Sequence, residues 1–289
     1  MRLVTFASDF GVMAGVLEGD RILPLAGLDV LSLIEMGAAG LERTRALAAE
    51  AAGHALPYDP AMLLAPIPNP RRNIFCLGLN YAEHAEESLR SKGLDVKMPT
   101  APVFFTKATT AANGPFMDIP FDPQVSSAVD WEVELAVVIG KAGFNIPRAR
   151  AMEHVFGYMV LNDVSARDLQ RRHQQFFKGK SLDGYCPMGP ALVTADEIPD
   201  PHALGLRCRV NGVLKQESST AHLLFDIPAI IESLARGMTL LPGDIIATGT
   251  PSGVGFARVP PEFLKPGDVV ECEVEGLGVL RNRLRDVRG

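Results

Sequence analysis

The stretch 129–140, VDWEVELAVVIG, carries the densest chemical signal in the sequence. Read as a strand, alternate residues share a face, so Asp130, Glu132 and Glu134 lie on one side and Trp131, Val133 and Leu135 on the other. Residues two apart in a strand have Cα atoms ~6.5–7 Å apart, near enough for both glutamates to reach one ion. The AVVIG that follows is apolar on both faces, so the strand runs into a core. Like charges there are costly unless something compensates them. A hard dication would do so, and oxygen-only ligation suits Mg²⁺, Mn²⁺ or Ca²⁺ better than zinc.

The alternative is a solvated strand face, and the chain supplies its own control. Glu271, Glu273 and Glu275 also alternate, ahead of Gly276-Leu277-Gly278, and Arg281, Arg283 and Arg285 alternate after it. A hairpin centred on Leu277 sets Glu273 opposite Arg281 and Glu271 opposite Arg283, which is ordinary cross-strand charge pairing. Glu132 and Glu134 have no basic alternation beside them. Spacing alone does not decide between the two readings.

Other residues could join the glutamates. Asp163 ends the run VFGYMVLND where a helix should begin, a position that suits a pocket residue or a helix cap. His84 and Glu87, in GLNYAEHAEES, are i,i+3 neighbours on a helical turn. A carboxylate set against an imidazole makes a general base for water, and a surface histidine on an acidic helix has the same pattern. Lys180 and Lys178 lie in the Gly- and Pro-rich FKGKSLDGYCPMGP, and Lys107 ends the strand PVFFTK; each is a candidate for an anionic substrate. Arg167 and Gln170 share a helix face just after Asp163. The segment ATGTPSGVG (247–255), with Thr248 and Thr250, offers backbone donors that could cradle a carboxylate. It lacks the lysine of a nucleotide-phosphate loop.

These residues need elements to hold them. MRLVTF and AGVLEGDRILPL read as short strands joined through a Gly19-Asp20 turn, with a helical stretch over 30–52. LAPIPNPRR (64–72), with three prolines, reads as a linker. From Asn73 onward short apolar runs alternate with Gly/Pro turns, which is a β-rich texture. Two helices interrupt it. SARDLQRRHQQFF has Ser165 as N-cap and Asp168 three residues on, and DIPAIIESLARGM has Pro228 in its first turn and Gly237 at its end. The expected organisation is a small N-terminal αβ domain over 1–66 and a catalytic domain over 67–289.

Composition narrows the function. The chain has 289 residues, a net charge of -6 and 47% hydrophobic residues, enough for a substantial core. No basic run marks a nucleic-acid or anionic-membrane partner. Four well-separated cysteines suggest neither a zinc cluster nor a disulfide framework. No stretch approaches the ~20 apolar residues that span a bilayer, and the N-terminus lacks a signal-peptide core. A cytoplasmic location is the expectation.

The order GLNYxxH, PVFFTK, DWEVELAVVIGK, GYMVLNDVSARDLQ, KGKSLDGYCPMGP and LLPGDIIATGTPSGVG resembles the fumarylacetoacetate hydrolase superfamily, in particular prokaryotic acylpyruvate hydrolase and 2-hydroxyhepta-2,4-diene-1,7-dioate isomerase-like members. The matches cover nearly all of 73–289. The resemblance implies an α+β, β-rich fold, a rolled mixed β-sandwich with a metal at its mouth, usually as a homodimer. It implies Glu132, Glu134 and Asp163 as ligands of Mg²⁺ or Mn²⁺, with Ca²⁺ as a further candidate, and leaves Asp130 outside the ligand set. His84, Glu87 and Lys180 become the catalytic residues, and Arg167, Gln170 and Thr250 the substrate contacts. The implied substrate is a small anionic 2-oxo acid. The leading activity is C–C hydrolysis of an acylpyruvate-like 2,4-dioxo acid. Decarboxylation or enol–keto isomerisation of a related dicarboxylate is the alternative, ahead of a non-catalytic binding protein. The reading fails if Asp163 lies far from the two glutamates, or if an arginine or lysine fills the gap between them.

Overall fold

The computed structural model describes every residue except Phe10, Lys92, Leu94, Val96 and Gly289. The N-terminal alternation gives a meander of Arg2–Ser8, Gly11–Glu18 and Arg21–Leu25, and Glu18 pairs with Arg21 across the Gly19-Asp20 turn. The helical stretch divides into α1 (Val30–Glu35) and α2 (Ala38–Ala51). The break falls at Gly37, whose φ of 60° suits a residue without a Cβ. Asp29 caps α1 by accepting from the Ser32 amide.

This meander adds directly to the main sheet. In spatial order that sheet runs Leu56–Pro57, Arg21–Leu25, Gly11–Glu18, Arg2–Ser8, Cys186–Thr194, Val155–Asn162, Val133–Ile139, Ile245–Ala247, Ile74–Gly78 and Val103–Lys107. The N-terminal strand meets the remainder through Arg2↔Val193 and Leu3↔Leu192. In the proline-rich segment, the Pro66 carbonyl accepts from the Thr5 hydroxyl and Arg72 pairs with Asp244.

A second sheet, in the order Val213–Ser219, Gly205–Val210, Val269–Val274, Gly278–Asp286 and Ile119–Phe121, packs over the first. The apolar layer between them includes Trp131, Val133, Leu135, Leu206, Val270 and Leu280. The charged hairpin forms with a register two residues from the expected one. Glu271 lies opposite Arg281, 3.2 Å away, because the turn centres on Gly276 (φ 76°). Leu277 is thereby carried into the core, and its burial fixes that register.

Among the described residues, four further α-helices follow: α3 (Ala82–Ser91), α4 (Arg167–Arg172), α5 (Phe177–Lys180) and α6 (Ile227–Ala235). Helix α6 has the expected Pro228 in its first turn and Asp226 as its cap. The SARDLQRRHQQFF helix is shorter than expected. It stops at Arg172, and Gln174 sits at φ 60° before α5 begins. Ser165 does not cap it: that residue pairs across from Asp130, and its hydroxyl donates to the Asp163 carbonyl. No helix among the described residues is long and apolar enough to cross a membrane.

Candidate metal centre and active-site cavity

The strand carrying the glutamates is interrupted at Trp131-Glu132, between Val129–Asp130 and Val133–Ile139. Two side-chain amides satisfy the backbone there. Asn162 Oδ1 accepts from the Glu132 amide at 3.1 Å, and Gln216 Oε1 from the Val133 amide at 3.0 Å. Next door, the Asp163 amide donates to the Glu132 carbonyl at 2.9 Å, so the neighbouring strand brings Asp163 beside the glutamates. Glu132, Glu134 and Asp163 each offer an oxygen, all within 4.8 Å of one another, and all three are buried.

Buried carboxylates need counter-charge. Lys180 Nζ donates to Glu132 at 2.7 Å and Asp163 at 2.6 Å. Lys107, wholly buried, donates to Asp163 at 2.5 Å and to the Val164 carbonyl. Arg167 bridges Asp130 at 2.9 Å and Glu132 at 2.5 Å. A lysine therefore does occupy part of the gap. It leaves Glu134 out: that side chain accepts one bond, from the Gly249 amide at 2.8 Å, and its Oε1 is buried without a hydrogen-bond partner. Four acids, Asp130, Glu132, Glu134 and Asp163, face three paired cations, and the uncompensated charge falls on Glu134. An orphaned carboxylate oxygen beside two more carboxylates is the donor set that a hard divalent cation takes, so the residues present fit the group.

Burial, and then the charges of Asp163 and Glu132, push the Glu134 carboxyl well above the usual carboxylate range. Burial also raises Asp130, against the pull of Arg167. Burial acts the same way on Glu132, but Lys180, then Arg167 and His84, outweigh it and hold that carboxyl well below the range.

Of the three clustered carboxylates, Glu132 lines a cavity of about 370 Å³, with the buried Lys180, Arg167 and Thr250 beside it at the inner end and His84 on the wall; Glu134 and Asp163 lie behind that lining. That size suits a small organic ligand. The 247–255 segment does cradle carboxylates, and they are the protein's own. Gly249 holds Glu134, Gly253 holds Glu87, and Gly255 and Phe256 hold Asp130. Gly253 sits at φ 99°, and a Cβ there would fall 2.1 Å from the Lys215 carbonyl oxygen.

Residues 73–285 match the family described as fumarylacetoacetate (FAA) hydrolase, C-terminal. The chain belongs to the fumarylacetoacetate hydrolase family. It is 49% identical over 222 residues to the oxaloacetate tautomerase YisK of Bacillus subtilis, across 77% of this chain and 72% of that one. It is 44% identical over 294 residues to the mitochondrial oxaloacetate tautomerase fahd2 of Xenopus laevis, across 98% and 89%. The structure of maleylpyruvate hydrolase from Sphingobium sp. SYK-6, in complex with manganese(II) and pyruvate, superposes with a TM-score of 0.77 at 30% identity over 99% of both chains.

In this member of the fumarylacetoacetate hydrolase family, His84, Glu87, Glu132, Glu134, Asp163, Arg167, Gln170, Lys180 and Thr250 meet in one place, whereas Lys178 is exposed and lies outside the cavity lining. His84 and Glu87 share a face of α3, with Nδ1 3.7 Å from Glu87 Oε2. That is beyond hydrogen-bond reach, and Nδ1 has no partner. Gln170 lines the cavity and accepts from Arg167 at 3.1 Å. The Thr250 hydroxyl is committed to the Val133 carbonyl and Gln216. Asp130 lies outside the ligand cluster, clamped by Arg167 and three amides. Ser88, Ser91 and Phe176 also line the cavity, whereas Phe177 and the described part of 1–66 do not.

Sequence reasoning passed over Asn162, Gln216 and Asn80, and gave Lys107 no fixed place. Asn80 ties the loop before α3 to the Thr248 carbonyl at 2.8 Å and to both backbone groups of Phe225. A lone amide carries no sequence signal for such a role. Lys107 had one available signal, its position at the end of a strand that opens on the apolar run Val103-Phe104-Phe105.

The raised Glu134 and Asp130 bind protons in the folded chain at pH values where the unfolded chain has released them. The stability of chelator-treated protein therefore falls as pH rises above about 4.3, the ordinary glutamate value. Glu132 is ionised in both states throughout that window and adds no slope. A dication needs deprotonated ligands, so its stabilisation grows over the same interval. Thermal melts with Mn²⁺ and with chelator, from about pH 5 to about pH 8, should show a widening gap; a constant gap would contradict the assignment.

Proposed function

We propose that this chain is a divalent-metal-dependent enol–keto tautomerase acting on a 2-oxo dicarboxylate of the oxaloacetate type. The observation that carries the metal dependence is the buried, unpartnered Glu134 Oε1 beside Glu132 and Asp163. The choice of tautomerisation over hydrolysis draws on the likeness to two oxaloacetate tautomerases at 49% and 44% identity.

Glu132, Glu134 and Asp163 are the residues that would hold the ion, Mg²⁺ or Mn²⁺, which when bound supplies Lewis-acid stabilisation of developing negative charge. The protein's residues do the rest. Lys180 has three donors and spends two on Glu132 and Asp163, so one remains for an anion at the inner end of the cavity. Arg167 fixes the Glu132 carboxylate and orients Gln170. His84 is the titratable group on the cavity wall able to take a proton from the substrate and return one to it. Glu87 stands on the Nδ1 side of the ring, which leaves Nε2 for proton exchange. Tautomerisation moves one proton between carbon and oxygen and consumes no water.

A second reading is C–C hydrolysis of an acylpyruvate-like 2,4-dioxo acid, with His84 and Glu87 activating water and Lys180 stabilising the oxyanion. The structural likeness to a maleylpyruvate hydrolase favours it. One assay separates the two. Chelator-stripped protein reloaded with Mg²⁺ or Mn²⁺ is given oxaloacetate enol, and loss of enol absorbance is followed beside pyruvate release and acylpyruvate cleavage. Tautomerisation predicts metal-dependent enol loss without either product. Acylpyruvate cleavage outpacing enol loss would establish the hydrolase instead, and pyruvate release a decarboxylase. A homodimer is part of the same proposal, and light scattering of the purified protein measures it.

A further inference from the structure

Helix α4 presents a polar stripe to the cavity: Arg167, Gln170 and Arg171, continued past its end by Gln174. The stripe starts deep and ends at the surface. Arg167 is buried against Asp130 and Glu132, Gln170 is half-buried, and Arg171 is exposed. Arg171 stands four residues, or ~6 Å of helix rise, from Arg167, on the same face and toward the mouth.

The charges along this wall differ in what they are already doing. The Arg167 guanidinium and the Lys180 ammonium are both committed to buried carboxylates. Arg171 lines the same cavity, yet among the described residues no carboxylate pairs with it. The acids closest along its helix are occupied elsewhere or absent: Asp168 points to the Ser126 hydroxyl and the Ser127 amide. Helix α3 adds two hydroxyl-bearing residues to the lining, the buried Ser88 and the exposed Ser91. A guanidinium at the mouth of a cavity whose inner end holds a Lys180 donor left over for one anion is suited to a second, and its planar fork matches a carboxylate.

We propose that Arg171 is a specificity-determining residue that binds the distal carboxylate of the substrate, so that the cavity selects 2-oxo dicarboxylates over 2-oxo monocarboxylates. This rests on the tautomerase reading for the identity of the reaction, while the preference for two carboxylates can be measured without turnover. Arg171 makes no hydrogen bond or ion pair within the described fold, so its replacement should leave folding intact.

The test uses Mn²⁺-loaded protein and two four-carbon probes. One is oxaloacetate, and the other is 2-oxobutanoate, in which a methyl replaces the second carboxylate. Affinity is read by calorimetry, and turnover by enol loss for oxaloacetate and by solvent deuterium exchange at C3 for 2-oxobutanoate. Wild-type protein should favour oxaloacetate. Arg171→Met should weaken its binding and raise its KM by about ten- to a hundredfold, with kcat changed little and 2-oxobutanoate unaffected. Arg171→Lys should recover part of the loss, since it restores the charge without the fork. Equal affinity of wild type for the two probes overturns the proposal, as does an unchanged affinity ratio in Arg171→Met. A wild-type protein that binds oxaloacetate preferentially but does not interconvert its enol and keto forms would retire the tautomerase reading and leave the role of Arg171 standing.

Discussion

Replacing His84 with alanine will lower kcat for enol–keto conversion by about a hundred- to a thousandfold, the usual worth of a positioned general acid–base group. Manganese content should stay within about twofold of wild type, because the imidazole is not among the ion's proposed oxygen ligands. The side chain is buried on the cavity wall, and its Nδ1 has no hydrogen-bond partner to lose. Added imidazole should restore part of the rate if the ring moves a proton, and none if it merely packs. A variant with wild-type kcat would remove His84 from the mechanism. A variant that loses its metal and its rate together would recast it as a support for the ion. Glu87→Gln should be milder: the main-chain contact to Gly253 can persist, while the charge that favours the Nδ1–H tautomer disappears.

The second large effect concerns folding. Lys107→Met should destabilise the metal-free protein by about 3–5 kcal/mol, since it leaves the buried Asp163 with only the Lys180 ammonium, which Glu132 already shares. Lys107 is wholly enclosed, and its ammonium is shared between Asp163 and the Val164 carbonyl. Chemical denaturation measures the loss, and saturating Mn²⁺ should recover part of it by supplying positive charge to the same carboxylate. A loss below about 1 kcal/mol would mean that Asp163 is neutralised by other means. The exposed Arg281–Glu271 pair is the natural comparison, because such surface contacts contribute about 0–1 kcal/mol.

The acidic residues were more legible in the sequence than the groups that hold them. Alternation placed Glu132 and Glu134 together, because a period of two is a local property of extended chain. Asp163 needed the pairing of two strands, which the motif order implied and the Asp163 amide bond to Glu132 realises. The three counter-charges come from separate places, Lys107 at a strand end, Arg167 at the start of α4 and Lys180 at the end of α5. No periodicity links them. The interruption at Trp131-Glu132 was hidden for the same reason: the amides of Asn162 and Gln216 that repair it are distant in sequence. The hairpin register slipped by two residues because charge pairing tolerates either alignment, whereas burial of Leu277 permits one. Helix α4 was overextended because its residues are good helix formers, and only the left-handed Gln174 ends the run.

The ribbon from Gly249 to Phe256 grips Glu134, Glu87 and Asp130 entirely through main-chain amides. Substitutions of its half-buried side chains, Ser252 and Phe256, therefore leave those grips in place. A proline at any of the four donor positions would erase one, since proline has no N–H to give. What descendants of this chain must inherit here is a contour, written in glycines, and a search for reactive functional groups would pass over it.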